Sequence, residues 1–431
     1  MASIKINPHI LKGSVNIPAS KSISHRAIIA AALCSCGHES MVKNLVLSKD
    51  IRATIDGMCA LGAKIQLKEE KNTYTCHIDG ALCSDDKNNN QLRESTVLEC
   101  CESGSTLRFL IPIALAIGGD FKFTGKGKLV ERPLDTYYRI FNQQGIEYKN
   151  NEGKLPLQVR GKLKCGTFEV EGNISSQFIS GLLFALPLLK GRSVIKVNGN
   201  LESKDYVALT LDVLKAYGVS VENKEFKEFI IDGEQEYICK DNKGYVVEGD
   251  YSQAAFFMVA QNIGNQVSCE GLKEISIQGD RRIKDIVEKF ASINSGDFII
   301  DASQIPDLVP VLTVMASLKQ GVKTEIINAG RLRIKESDRL KAIATEMNKL
   351  GAKVRELSEG LIIEGVSQLQ GGVTVNSWND HRIAMSLAVA ATRCKEFIIL
   401  EDYMCVEKSY PDFWRDYMLL GGDVHGFHVG E

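Results

Sequence analysis

The stretch Leu350-Gly351-Ala352-Lys353-Val354, followed by Leu361-Ile362-Ile363-Glu364-Gly365, frames the architecture. A helix-like segment stops on glycine, a short strand follows, and a second apolar strand closes on another glycine. That pattern predicts a helix ended by a left-handed residue and then a β-hairpin. It recurs at Leu61-Gly62-Ala63-Lys64-Ile65, at Gln144-Gly145-Ile146-Glu147-Tyr148 before LPLQVRG (ending at Gly161), and at Tyr217-Gly218-Val219-Ser220-Val221 before EFIIDG (ending at Gly233). Gly421-Gly422-Asp423-Val424 closes the series. The intervals between these glycines are 83, 73, 133 and 70 residues. The wide interval is nearly two periods, which predicts a degenerate copy over Ile286–Ile300 (IVEKFASINSGDFII). Six units of about 72 residues then account for the 431-residue chain. Helix–glycine–strand also arises by chance in any α/β protein, but the regular spacing favours six units. Six such units cannot share one core, so two domains of three units are expected. No Pro/Gly/Ser-rich linker separates them, which predicts a short, ordered crossover.

Composition bounds the function. Lys and Arg number 52 against 54 Asp and Glu, a formal charge of −2, with 44% hydrophobic and 25% charged residues. These values fit an ordinary globular protein and exclude disorder. The near-zero sum disfavours a general nucleic-acid or membrane-surface binder. The longest apolar runs, Ala27–Cys34 and Gly181–Leu189, fall short of the ~20 residues that span a bilayer, and MASIKINPHI carries no export signal. Twelve cysteines, including Cys34-x-Cys36 and Cys100-Cys101, form no CxxC pair and no zinc spacing. They read as reduced, mostly buried thiols of a cytoplasmic protein.

The polar residues that stand out cluster where helices are predicted to start. Pro18-Ala-Ser-Lys21-Ser22-Ile-Ser24-His25-Arg26, Glu102-Ser103-Gly104-Ser105-Thr106-Leu107-Arg108 and Ser175-Ser176-Gln177 each lead into an apolar helix. So do Gly249-Asp250-Tyr251-Ser252, Pro306-Asp307, Lys335-Glu336-Ser337-Asp338-Arg339 and Asn379-Asp380-His381-Arg382. Ser, Asp and Asn there are explained as N-caps. Lys and Arg are not, because a cation opposes the macrodipole at that end. Lys21, Arg26, Arg108, Lys335, Arg339 and Arg382 beside free N–H groups instead describe sites for small, multiply anionic ligands. No P-loop, GxGxxG, HExxH or GxSxG motif is present. His25 and His381 lack a nucleophile partner, which argues against a Ser/His hydrolase. Asp307 and Glu336, each beside cations or a helix end, are the best acid/base candidates, with a cap or salt bridge as the plain alternative.

With these motifs in this order, residues 5 to 415 resemble the 5-enolpyruvylshikimate-3-phosphate synthases (3-phosphoshikimate 1-carboxyvinyltransferases) of the enolpyruvyl transferase family. Lys21-Ser22-x-Ser24-x-Arg26 is similar to the family's K-S-x-S-x-R segment, and Ser103–Arg108 to its glycine loop. Glu131-Arg132-Pro133, Ser175-Ser176-Gln177-Phe178, Gly249-Asp250-x-Ser252, Pro306-Asp307, Lys335–Arg339, Asn379–Arg382 and Lys408-Ser-x-Pro411-Asp412 complete the match. The resemblance implies an α/β (α+β) fold of two domains. Each would hold three βαβαββ units in pseudo-threefold symmetry, with the active site in the interdomain cleft. Residues 20–247 would form the shikimate 3-phosphate side. Residues 1–19 with 248–431 would form the phosphoenolpyruvate and acid/base side.

The implied reaction moves the enolpyruvyl group of phosphoenolpyruvate to the 5-hydroxyl of shikimate 3-phosphate and releases phosphate, in aromatic amino-acid (chorismate) biosynthesis. No metal or organic cofactor is implied, and the family resemblance suggests a cytoplasmic monomer that binds neither nucleic acid nor membrane. By motif position, Lys21, Ser22, Arg26, Ser175, Ser176, Gln177, Ser203, Tyr206, Asp307 and Lys335 would hold shikimate 3-phosphate. Lys21, Gly104, Arg132, Gln177, Arg339, Arg382 and Lys408 would line the phosphoenolpyruvate site. Each substrate carries about −2.5 to −3, and seven of these cations would offset the pair. Glu336 is expected to exchange the proton at carbon 3 of phosphoenolpyruvate, Asp307 to act as base at the hydroxyl, and Lys21 to assist. Domain closure would expel water.

Three positions depart from the familiar pattern: His25 for Asn, Phe109 for Pro, and Arg331 where some members bring an Asn to the substrate phosphate. They leave the contact at 331 and sensitivity to glyphosate open, although Gly104 keeps that part of the site clear. The sister UDP-N-acetylglucosamine enolpyruvyl transferase would pair the first Lys with Asn and place a Cys in Lys126–Arg132, and neither occurs here. A non-catalytic polyanion binder would not need Asp307 and Glu336 together.

Overall fold

The computed structural model describes residues 2–35, 39–71, 73–80, 95–241 and 243–426; Cys36 of the Cys34-x-Cys36 pair lies outside them. The chain divides into two compact units, Ala19–Glu248 and Met1–Pro18 with Gly249–Glu431. Each has its own hydrophobic core. Ser20 N donates to Glu248 O in the first unit and Asp250 N to Pro18 O in the second.

In the first unit the helices are α1 (Lys21–Ala32), α2 (Lys49–Ala60), α3 (Gly104–Ile117), α4 (Asp135–Gln144), α5 (Ser176–Ala185) and α6 (Lys204–Ala216). Each repeat lays two parallel strands beside an antiparallel hairpin. Thr96–Glu99 and Gly119–Thr124 are parallel, and Gly119–Thr124 then pairs with Lys154–Gly161, whose hairpin partner is Glu147–Asn151. The repeat with α5 and α6 is built identically on Thr167–Glu171, Ser193–Asn198, Glu228–Ile231 and Glu222–Lys224. The repeat with α1 and α2 borrows its first strand, Tyr245–Val246, from the end of the unit.

The second unit contains α7 (Tyr251–Asn262), α8 (Ile283–Ser292), α9 (Val309–Ser317), α10 (Arg339–Lys349), α11 (His381–Ala391) and α12 (Phe413–Leu419). The full βαβαββ repeat is Gly296–Asp301, α9, Val322–Ile327, α10, Lys353–Leu357 and Gly360–Glu364. The N-terminus completes the other two. Ser3–Asn7 lies between Ile398–Glu401 and Asp423–His425, and Lys12–Asn16 pairs in parallel with Gln266–Glu270. Helices α7, α9 and α11 touch one another. Every residue of α9 and α11 is buried, as expected of helices apolar on all sides.

The glycines behave as the repeat predicts at Gly62, Gly145, Gly218, Gly351 and Gly421, all with positive φ. The expectation of a hairpin within Ile286–Ile300 is corrected. That stretch is α8 and then Gly296–Asp301, which is the first strand of the following repeat. Only residues 293–295 join them, too short a link to hold a hairpin. The glycines after the last strand of three repeats have a separate, steric reason. A Cβ at Gly80, Gly233 or Gly365 would collide with the carbonyl of Cys34, Leu189 or Lys319, just past the repeat's first helix.

Among the described cysteines none is in a disulfide. Cys34, Cys76, Cys100, Cys394 and Cys405 are buried, but Cys59 and Cys165 are exposed, so burial is less general than expected. No helix among the described residues is long and apolar enough to cross a membrane.

Candidate active site

In the second unit the polar residues converge on Arg339, at the first position of α10 and 1% exposed. Its Nη1 donates to Asp307 Oδ1 at 2.8 Å, Nη2 to Glu336 Oε2 at 2.7 Å, and Nε to Asp380 Oδ2 at 2.8 Å. Asp380 is the N-cap of α11, and its Oδ1 accepts from Arg382 N at 2.9 Å. Arg382 reaches back to Asp307, with Nη2 to Oδ2 at 2.8 Å and Nη1 to the backbone carbonyl at 3.1 Å. Ser337 Oγ donates to Asp380 Oδ2 at 3.0 Å, and Lys408 Nζ donates to the Asn379 carbonyl at 2.7 Å. Three carboxylate partners orient this guanidinium, whose donors form a planar fork.

This network sets the protonation of its members. Burial would push the Asp307 carboxyl up, but Arg382, Arg339 and Lys335 more than reverse that and hold it well below the carboxylate range. Burial also pushes the Lys335 ammonium down, to about 8, against the pull of Asp307. Asp280, hydrogen-bonded to Ser252, is raised by its burial and then by the charge of Asp307.

In the first unit Lys21 opens α1, and its Nζ donates to Asp50 Oδ2 at 3.0 Å. Arg26, one turn on and buried, is mostly committed to the protein. Its donors reach Ser22 O at 2.7 Å, Tyr206 O at 3.0 Å, Thr210 Oγ1 at 2.8 Å and Ser180 Oγ at 3.4 Å. It therefore ties α1, α5 and α6 together, with one of its five N–H donors beyond these four bonds. Ser175 caps α5 by accepting from Gln177 N at 3.3 Å, and Ser176 is buried beside it. The Gln177 amide bridges Arg108 Nη1 at 2.9 Å and Ser105 Oγ at 2.9 Å. Ser203, with φ of 54°, holds the start of α6, where Tyr206 lies in the first turn. A Cβ at Gly104 would strike the guanidinium of Arg132, so glycine is what lets that buried cation lie across the start of α3.

The family model described as EPSP synthase (3-phosphoshikimate 1-carboxyvinyltransferase) matches residues 6–417. The 3-phosphoshikimate 1-carboxyvinyltransferases of Clostridium acetobutylicum and Clostridioides difficile are 51% and 49% identical to the chain, each over the full length of both proteins. The chain belongs to the EPSP synthase (3-phosphoshikimate 1-carboxyvinyltransferase) family. The solved EPSP synthase of Acinetobacter baumannii superposes with a TM-score of 0.76 over 99% of each chain. At 22% identity, that likeness concerns the fold, which is the family's.

The site residues expected from the sequence divide between the two units. Lys21, Ser22, Arg26, Gly104, Arg132, Ser175, Ser176, Gln177, Ser203 and Tyr206 belong to the first, and Asp307, Lys335, Glu336, Arg339, Arg382 and Lys408 to the second. Sequence reasoning missed Asp380 as a charge partner, because an N-cap accounts for it fully. It also missed Asp50 and Asp280, which no motif marks. In the sequence His25 stands out as a histidine without a nucleophile partner and as a departure from the family pattern. It is buried and neutral, its pKa lowered by burial and then by Lys21, and its Nδ1 lies 2.7 Å from Thr54 Oγ1. Among the described residues no group of three or more His, Cys, Asp or Glu could hold a metal.

Proposed function

We propose that this chain transfers the 1-carboxyvinyl group of phosphoenolpyruvate to the 5-hydroxyl of shikimate 3-phosphate, releasing phosphate, with the residues assigned above. The observation that carries this reading is that Asp307 and Glu336 share Arg339, and Asp307 also holds Arg382. Candidate acid/base groups and candidate anion-binding cations thus form one device. When phosphoenolpyruvate presents its carboxylate and phosphate, Arg339 and Arg382 turn to those anions. Asp307 then loses the counter-charges that depress its pKa and becomes a stronger base.

With Arg339 drawn to the substrate, Glu336 takes up a proton and delivers it to carbon 3 as the hydroxyl oxygen attacks carbon 2, and Asp307 takes the hydroxyl proton. Cleavage of the carbon 2–phosphate oxygen bond then expels phosphate, which receives the proton from Asp307. Carbon 3 returns its proton to Glu336, which restores both groups. Lys21, Arg132 and Lys408 stabilise the departing charge. The cytoplasmic location and monomeric state expected from the resemblance belong to the same proposal.

The test is phosphate release from phosphoenolpyruvate with and without shikimate 3-phosphate. Dependence on shikimate 3-phosphate is expected. Release with UDP-N-acetylglucosamine in its place, and none with shikimate 3-phosphate, would overturn the assignment.

A further inference from the structure

The turn that delivers Asp380 to Arg339 is strained. Trp378 and Asn379 have φ values of 55° and 53°. For a residue as bulky as tryptophan this conformation is an outlier, and it persists only where the surroundings over-determine it. Those surroundings are built on a buried carboxylate. Glu346, two turns into α10 beyond Arg339, is 1% exposed. Its Oε1 accepts from the Trp378 indole Nε1 at 2.8 Å, and its Oε2 accepts from Asn376 N at 3.1 Å and Lys349 Nζ at 2.8 Å. Asn376 Oδ1 in turn accepts from Trp378 N at 2.6 Å. Ser377 Oγ accepts from Asn379 N at 3.2 Å and donates to Asp402 O at 3.0 Å.

What the turn presents belongs to the site. Asp380 takes Arg339 Nε and Arg382 N, and the Asn379 carbonyl takes Lys408 Nζ. One helix therefore grips the turn twice, through Arg339 at its start and through Glu346 further along.

We propose that Glu346 and Trp378 are positioning residues for the reaction, a clamp that holds the left-handed turn so that Asp380 and Asn379 set the spacing of Arg339, Arg382 and Lys408. This inference rests on the enzymatic reading above. The charge on Glu346 matters because a glutamine there could still accept from the indole. Its NH2 group, however, would oppose the Asn376 N–H and Lys349, both of which need an acceptor.

The experiment compares Trp378→Phe, which keeps an aromatic ring but lacks the indole donor of the clamp, and Glu346→Gln with the wild-type chain. In both variants KM for phosphoenolpyruvate rises about tenfold, the scale of one hydrogen bond to a charged group, while kcat falls less than about threefold. KM for shikimate 3-phosphate stays within about twofold, a difference too small to correspond to a lost hydrogen bond. A purely structural role would instead raise both KM values together with a fall in Tm, and that result overturns the proposal. So does an unchanged KM for phosphoenolpyruvate. The second readout does not need turnover: Glu346→Gln shifts the emission of Trp378, with the fully buried Trp414 as the constant background. If the wild-type chain releases no phosphate, the enzymatic reading falls by itself. The clamp is then judged on emission, where an unshifted Trp378 overturns it.

Discussion

Asp307 divides its carboxylate between two arginines, Oδ1 to Arg339 Nη1 and Oδ2 to Arg382 Nη2, each at 2.8 Å. A group so held is a weak base until its partners are drawn away, which the proposed mechanism assigns to the substrate anion. Asp307→Asn is therefore expected to lower kcat by about 10²–10⁴-fold, the range for losing a general base. The KM for phosphoenolpyruvate should not rise, because the arginines are released rather than removed. Glu336→Gln should give a comparable loss of kcat. Steady-state kinetics with both substrates check this, and an Asp307→Asn enzyme retaining more than half its turnover would refute the role.

Lys335 is pushed down to about 8 by burial, so its charge is lost as pH rises through that value in the free enzyme. The limb belongs in kcat/KM, which reports free-enzyme groups. We expect kcat/KM for shikimate 3-phosphate to fall above about pH 8, and Lys335→Arg to move that fall upward, since guanidinium stays charged beyond pH 12. A pH profile of the two enzymes decides it; superimposable profiles would assign the limb elsewhere.

At Gly104 the added methyl of alanine meets the Arg132 guanidinium. Gly104→Ala should displace that cation and raise KM for phosphoenolpyruvate by about tenfold or more, the scale of one charge-assisted hydrogen bond. The KM for shikimate 3-phosphate should change little, and a single set of initial-rate measurements separates the two effects.

Gly365 tests the repeat rather than the site. A Cβ there collides with the backbone carbonyl of Lys319, which cannot swing aside as a side chain would. Gly365→Ala is expected to cost about 1–3 kcal/mol, in the range measured for overpacking. Urea denaturation reads this as a lower midpoint at an unchanged m-value.

What could be read in advance was local. Gly62, Gly145, Gly218 and Gly351 announced helix ends because positive φ is a property of the residue itself. Basic residues at helix starts stood out because they contradict a local electrostatic rule. The misread stretch, Ile286–Ile300, shows the limit of that logic. Helix, glycine and strand are all present there, but the partner of Gly296–Asp301 is Val322–Ile327 rather than a hairpin strand. Pairing is not encoded in the run that pairs.

The amino-acid order alone thus determined the repeat, the helix ends and which cations lie near helix starts, since these depend on neighbours within a turn or two. Only tertiary structure decided that Ser3–Asn7 completes a sheet at the far end of the chain. It also decided that Arg339 joins Asp307, 32 positions before it, to Asp380, 41 positions after it. A cap and a charge partner look alike in one dimension. Burial distinguishes them: away from water each charge needs a partner, and that partner is whichever side chain the fold brings within reach.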